Sequence, residues 1–350
     1  MRGLLLGAAL GATACGADVQ HVQHCDPGEG MTPICGFHNP EDLAAAPDSP
    51  WLLVSQFPEN PREQEDSGDL IAFHTEDGRR VPLFPAEKAV GAARFGEPGC
   101  SAAPEARSFS PHGIDLDGDR LYVVNHGGRE AIEIFEFSPG DPPALRWGGC
   151  VPLPDGVMAN DVVGLGDGSF LATHFMPKAA TPVTMLRVMM GWSTGEVLAW
   201  SPEQGWQAVP HTEDSAPNGI EVSPDGRQVY YASWGRGALV RVDRNGGMRR
   251  EVELGFHVDN LTWTPDGRLL AAGQSGPTSA IASCPEKPGG TCGMPFVVVA
   301  VDPDRLEVTP VLEHDPPIIG GAASVALQHR GVLWVGTFSG DRLLRMEVQP

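Results

Sequence analysis

The chain reads as an all-β protein, a six-bladed β-propeller, on three observations. A turn-and-strand unit recurs along its 350 residues. Sustained helical periodicity is nearly absent. The 44 Gly and 33 Pro are spread without a period, so they supply turns rather than a collagen repeat or disorder. Units of roughly 40–65 residues with three or four short strands each are the mark of a propeller.

The elements follow in order. Turns fall at Pro47-Asp48, Asp117-Gly118, Asp167-Gly168, Pro224-Asp225-Gly226 and Pro265-Asp266-Gly267, with a weaker one at Gln328-His329-Arg330-Gly331. A run rich in Val, Leu, Tyr and Trp follows each turn, predicting strands at 51–56, 121–126, 170–174, 228–234, 269–274 and 332–338. A second set of strands is predicted at 69–74, 131–137, 196–200, 238–242, 296–301 and 342–348. A short helix fits 181–191. No linker interrupts 36–350, which is read as one propeller domain.

A few residues upstream of five of the turns lies a segment with a metal-binding or acid–base side chain. The segments are Glu41-Asp42, Pro111-His112-Gly113-Ile114, Asn160-Asp161, Pro217-Asn218-Gly219 and Asp259-Asn260. Asp42, Asp161, Gly219 and Asn260 each precede their turn Asp by six residues, and His112 precedes Asp117 by five. In a propeller the innermost strand of each blade runs along the central channel. Equal offsets therefore place all five segments at one channel mouth. Asn, Asp and Gly also form turns, so one segment alone would mean little; five in register predict convergence.

The formal charge of −21 argues against a nucleic-acid partner. Met1-Arg2-Gly3 and the apolar, small-residue stretch that ends at Cys15 read as an export signal, residues 1–15, too short for a permanent span. Small residues before Cys15 resemble a bacterial lipoprotein signal. The expectation is an exported protein attached to a membrane by a lipid on Cys15, or a secreted one if no lipid is added. Residues 16–35 read as a tether or as a strand that closes the last blade. Six cysteines remain: Cys25, Cys35, Cys100, Cys150, Cys284 and Cys292. Three disulfides fit an exported chain. Fifteen pairings are open; proximity favours Cys25–Cys35 and Cys284–Cys292, which leaves Cys100–Cys150.

The candidate ligands are carboxylates and carboxamides. Such oxygen donors suit Ca²⁺ or Mg²⁺ better than zinc or copper, and Asn carbonyls favour calcium. The sequence thus predicts calcium in the central channel. A bound divalent cation polarises a carbonyl for attack by water. His112 opens an inner strand and His126 ends the adjacent one, so the two can meet and relay a proton. His174 ends the matching strand of the next blade, and His257 lies two residues before Asp259; both are further pocket candidates. No Gly-x-Ser-x-Gly elbow is present.

These residues resemble the paraoxonase family of calcium-dependent lactonases and arylesterases, over roughly 36–350. The resemblance is carried by Phe109-Ser110-Pro111-His112-Gly113-Ile114, Val123-Val124-Asn125-His126, Glu133-Ile134-Phe135 and Ala159-Asn160-Asp161-Val162. Glu41-Asp42-Leu43, Asn218-Gly219-Ile220 and Val258-Asp259-Asn260 follow in the family's order. The resemblance implies two calcium ions: a catalytic one held by Glu41, Asn160, Asn218, Asp259 and Asn260, and a structural one held by Asp42, Asp161 and the backbone carbonyl of Ile114. It makes His112 the general base and His126 its shuttle partner. It also makes 176–192 an active-site lid. The family's disulfide between the chain ends has no counterpart here, so closure is expected to rest on strand pairing.

The function expected is therefore an exported, calcium-dependent hydrolase of a small-molecule lactone or ester. Two alternatives stand beside it. One is a gluconolactonase-type sugar-lactone hydrolase that works without the histidine pair. The other is a non-catalytic, calcium-stabilised propeller that binds a partner.

Overall fold

A computed structural model of the chain describes residues 19–58, 67–284 and 289–348. The export segment with Cys15 lies outside the described residues. Six antiparallel sheets form the blades of a β-propeller. Their inner strands are Pro40–Ala45, Pro111–Asp117, Val157–Gly164, Pro217–Val222, His257–Trp263 and Ala323–His329. Each packs against the next around the ring, and the sixth packs against the first.

The next strand out in each blade is the apolar run seen in the sequence: Trp51–Gln56, Arg120–Asn125, Phe170–Pro177, Gln228–Ser233, Leu269–Gln274 and Val332–Thr337. Successive side chains of a strand point to opposite faces. In a propeller both faces meet another blade, so these runs are apolar throughout rather than alternating. Leu121 and Val123 pack with Trp51, Leu53 and Phe135 between blades 1 and 2. Their neighbours Tyr122 and Val124 pack with Phe170 and Trp200 between blades 2 and 3. Comparable clusters fill the other four interfaces. The core is thus six wedges around an axis.

Closure is by strand pairing. Met31–Cys35 forms the outer strand of blade 6, antiparallel to Arg342–Glu347, with Met31 opposite Met346 and Cys35 opposite Arg342. Arg342 is buried, and its guanidinium donates to the carbonyls of Val22, His24 and Ile319, which ties the N-terminal segment to the last blade. Cys25–Cys35 staples the same segment; Cys284–Cys292, also favoured by proximity, and the remaining pair Cys100–Cys150 complete the three disulfides.

The predicted helix is Pro182–Met189, here α1. It starts at Thr181, whose side chain accepts from the Thr184 N–H in a capping box, with Pro at the first helical position. Among the elements without a clear sequence signal are a short helix, Thr278–Ser283, and a fifth strand of blade 2, Phe95–Gly96, which pairs in parallel with the outer strand Ala144–Pro152. No helix among the described residues is long and apolar enough to cross a membrane.

Candidate active site at the channel mouth

Every inner strand breaks register near its start. The irregularities fall between Pro40 and Asp42, Pro111 and Ile114, Met158 and Val162, Pro217 and Ile220, Val258 and Leu261, and Ala323 and Val325. A bulge re-aims side chains and frees backbone groups from the ladder. All five predicted segments sit in these bulges, and the sixth blade places Ser324 there. Neighbouring bulges touch backbone to backbone. A Cβ on Gly113 would lie 2.3 Å from Asp161 Oδ1, and one on Gly219 would lie 2.5 Å from the Asn260 Cα. That close approach is why Gly follows His112 and Asn218.

The bulges build two layers. In the upper layer Glu41, Asn160, Asn218, Asp259 and Asn260 are all buried. Asn260 Nδ2 donates to Glu41 Oε1 at 2.9 Å, and Ser324 Oγ donates to the Glu41 carbonyl at 2.6 Å. Asp259 Oδ2 accepts from Gln274 Nε2 at 2.6 Å, and Gln274 in turn accepts from the Trp234 indole at 3.2 Å. Glu41 Oε2 and the Oδ1 atoms of Asn160, Asn218 and Asn260 have no donor. An unsatisfied buried oxygen costs about 1–3 kcal/mol. Four such oxygens at one place make a hard oxygen-donor set, and that set fits calcium. Among the described residues no three His, Cys, Asp or Glu side chains cluster as a metal site; the layer mixes two carboxylates with three carboxamides.

In the lower layer Asp42 and Asp161 are met by backbone donors. Asp42 Oδ2 accepts from Ile114 N at 2.7 Å and Oδ1 from Leu43 N at 2.8 Å. Asp161 Oδ2 accepts from Ile220 N at 2.8 Å and Oδ1 from Val162 N at 2.8 Å. These carboxylates and Ile114 line a polar channel cavity of about 130 Å³, together with Asp115 and Glu221. Asp115 Oδ2 accepts from Gly164 N at 2.7 Å.

Burial raises all of these acids. Glu41 is pushed well above the carboxylate range by burial, with Asp42, Asp259 and Asp161 acting the same way. Asp259 rises to about 7 through burial, against hydrogen bonds from Gln274 and Asn218. Burial takes Asp42 and Asp115 to about 7 despite their backbone donors. Asp161 and Glu221 also go well up by burial, and neighbouring carboxylates add to it. So many acids around one channel repel one another, and a bound cation reverses that balance.

The histidines meet as expected. His112 is the second residue of its strand, while His126 stands one residue beyond the strand end rather than on it. His112 Nδ1 lies 3.0 Å from His126 Nε2. His112 Nε2 lies 3.5 Å from Asn160 Nδ2 and 3.7 Å from Glu41 Oε1, on the side of the upper layer. Burial first and His126 second hold the His112 imidazole well below its usual pKa, so it is neutral at neutral pH. Phe57 covers it, with ring centroids 4.6 Å apart. His174 instead lines a cavity of about 270 Å³ beside α1, with Thr184, Arg187 and Glu196. His257 stacks on Trp234 at 4.4 Å and its Nδ1 lies 3.0 Å from the Trp234 carbonyl, away from the histidine pair.

The segment 176–192 forms α1 and its flanks. Val188 packs on Ala216 and Trp234, while Val183, Leu186, Met189, Met190 and Trp192 are exposed. Asp115, Glu221, Gln274 and Ser324 were not singled out from the sequence. A signal existed for Asp115 and Glu221, each an acid inside an inner-strand segment already in register. Gln274 and Ser324 carried none.

The fold is a six-bladed propeller with a cluster of buried acids, amides and histidines at one channel mouth, and its family follows from its relatives. The arylesterase family model matches residues 85–344. The chain belongs to the arylesterase family. It is 31% identical over 170 residues to serum paraoxonase/arylesterase 2 of Rattus norvegicus, covering 45% of this chain and 47% of that protein. It is 33% identical over 133 residues to serum paraoxonase/arylesterase 1 of Mus musculus, covering 36% of each. The match thus spans about half the length of these relatives or less. Among solved structures, a gluconolactonase from Xanthomonas campestris superposes with a TM-score of 0.55 at 17% identity, covering 95% of both chains. A virginiamycin B lyase from Staphylococcus aureus gives 0.52 at 12% identity, covering 91% of this chain and 99% of that one. A lactonase and a lyase sharing this architecture show that the fold does not choose the reaction.

Proposed function

We propose that the channel mouth is the active site of an exported, calcium-dependent hydrolase of lactones or esters. One observation carries this reading: four buried oxygens without donors converge beside a hydrogen-bonded histidine pair. A propeller that only binds a partner has no use for that combination. Family membership and the three disulfides, which fit an oxidising compartment, support it.

Glu41, Asn160, Asn218, Asp259 and Asn260 would hold one calcium ion. Asp42, Asp161 and the Ile114 carbonyl would hold a second. The upper ion would supply fixed positive charge to a carbonyl oxygen. The chain's own residues do the rest. His112, neutral and covered by Phe57, takes a proton from the water that attacks the carbonyl carbon. The new C–O bond forms as that proton moves to His112, and His126 stands 3.0 Å behind to share the charge. The leaving alcohol takes a proton back as the ester bond breaks, so the histidines end as they began.

The test is a panel of lactones of short and long acyl chain plus an aryl ester, assayed with calcium, then with excess chelator, then with calcium restored. The reading expects turnover that disappears on chelation and returns. No turnover of any member by folded, calcium-loaded protein would contradict it and favour a binding propeller.

A further inference from the structure

We propose that Glu130 is the positioning residue of the histidine pair: through His126 it sets both imidazole tautomers, so that His112 presents a bare Nε2 to the upper layer. The inference rests on the hydrolase reading for its consequence in catalysis, but its geometry stands apart from it.

Three contacts make a chain. Glu130 Oε2 lies 2.7 Å from His126 Nδ1, His126 Nε2 lies 3.0 Å from His112 Nδ1, and His112 Nε2 faces Glu41 and Asn160. The Glu130 carboxylate, ion-paired through Oε1 with Lys178 at 3.3 Å, can only accept. His126 must therefore carry its hydrogen on Nδ1. A neutral imidazole has one N–H, so His126 Nε2 is bare and accepts from His112 Nδ1. That leaves His112 Nε2 with a free lone pair on the side where a water would be deprotonated. The Asn160 amide, pointing its N–H at this atom from 3.5 Å, agrees with the direction. Had His126 the opposite tautomer, His112 would carry its hydrogen on Nε2 and could not act as a base there.

The local fold delivers Glu130 to this place. Gly127 and Gly128 turn the chain between two strands of blade 2, and a Cβ on Gly127 would collide with the Ser108 carbonyl. Arg129 is pinned by Glu133, with Nε to Oε1 at 2.7 Å and a terminal nitrogen to Oε2 at 2.8 Å. Glu133 is itself fully buried and held by the Trp147 indole at 2.7 Å. With its neighbour fixed, Glu130 folds back on His126 four residues earlier. Lys178 belongs to the segment that runs into α1, so the lid and the histidine pair share one carboxylate.

Nitrogen-15 NMR of histidine-labelled, calcium-loaded protein reads the tautomers directly, with signals assigned by loss in His112→Gln and His126→Gln. The expected result is Nδ1–H on both rings and a bare Nε2 on both. In Glu130→Gln the amide can donate to His126 Nδ1, and both rings should switch to the Nε2–H form. That variant should lose about 10–100-fold in kcat for the best panel substrate, as orienting partners of site histidines do, with KM and calcium affinity unchanged. Glu130→Asp should recover part of the loss. An Nε2–H tautomer at His126 in the unaltered protein overturns the proposal, whether or not any variant folds. So does a Glu130→Gln protein with unchanged tautomers or unchanged kcat. Correct tautomers in a protein that turns over no lactone or ester would overturn the hydrolase reading instead.

Discussion

The two layers of the channel use the same bulges in opposite ways. In the upper one Glu41, Asn160, Asn218 and Asn260 each keep an oxygen that no donor meets. One residue further along the same strands, Asp42 and Asp161 have both oxygens met by backbone N–H groups. Those contacts cross between blades: Asp42 reaches Ile114 of blade 2, Asp161 reaches Ile220 of blade 4, and Asp115 reaches Gly164 of blade 3. The lower carboxylates are struts that also line a cavity, while the upper groups keep buried oxygens with no hydrogen-bond partner. On the proposed reading the upper layer would hold the exchangeable ion and the lower layer the structural one. Backbone donors fix the lower carboxylates in place, whereas the unmet upper oxygens have no protein group to offset their burial.

Each layer can be broken separately. The largest effect is expected at the base beside the upper layer. His112→Gln should lower kcat by about 10²–10⁴-fold, the usual worth of a general base, with both calcium ions retained. Rate assays with calcium titration check it, and unchanged rate would remove the histidine pair from the mechanism. Next comes Gln274→Leu, which strips the second hydrogen bond behind Asp259. It should weaken the upper ion by about 10–100-fold and leave the lower one in place. Equilibrium dialysis against labelled calcium reads both.

The acids give a pH signature. In metal-free protein Asp42, Asp115 and Asp259 sit near 7, above their unfolded values of about 4. Between those limits the folded chain binds more protons than the unfolded one, so stability must fall as pH rises. The melting temperature of chelator-treated protein should therefore drop between about pH 4 and pH 7. With saturating calcium the slope should reverse, because ligands must lose their protons to bind. Calcium affinity should fall as pH drops below about 7 for the same reason.

Smaller effects sharpen the strut reading. Asp161→Asn leaves one oxygen to serve two backbone donors and should cost about 1–3 kcal/mol in calcium by chemical denaturation. In chelator the cost should shrink, since a repelled buried charge is removed with it. Ser324→Ala removes the hydroxyl on the Glu41 carbonyl and should cost about 1 kcal/mol.

The sequence carried the parts whose physics is local or periodic. The two-faced apolar strands are legible because each must fill a wedge on both sides. The five segments are legible because Gly113 and Gly219 mark close backbone approach and the offsets repeat. His112 and His126 lie within one residue of the strand ends that the sequence marks. Outer strands such as Gly205–Ala208 and Arg249–Glu253 were not read, because half-exposed edges carry no apolar pattern. The bulges were invisible for a different reason: they are defined by pairing register, which no single strand records. Gln274 and Glu130 act through residues brought near by tertiary packing or by a turn, so their residue types alone said nothing.

The most direct test strips the protein of calcium and returns it stepwise while occupancy and lactone turnover are followed together. Two ions per chain are expected, the weaker one returning in step with activity, and His112→Gln should bind both without recovering the rate. A chain that binds no calcium, or one whose turnover is the same with and without it, would contradict the claim that the channel mouth is a calcium-dependent active site.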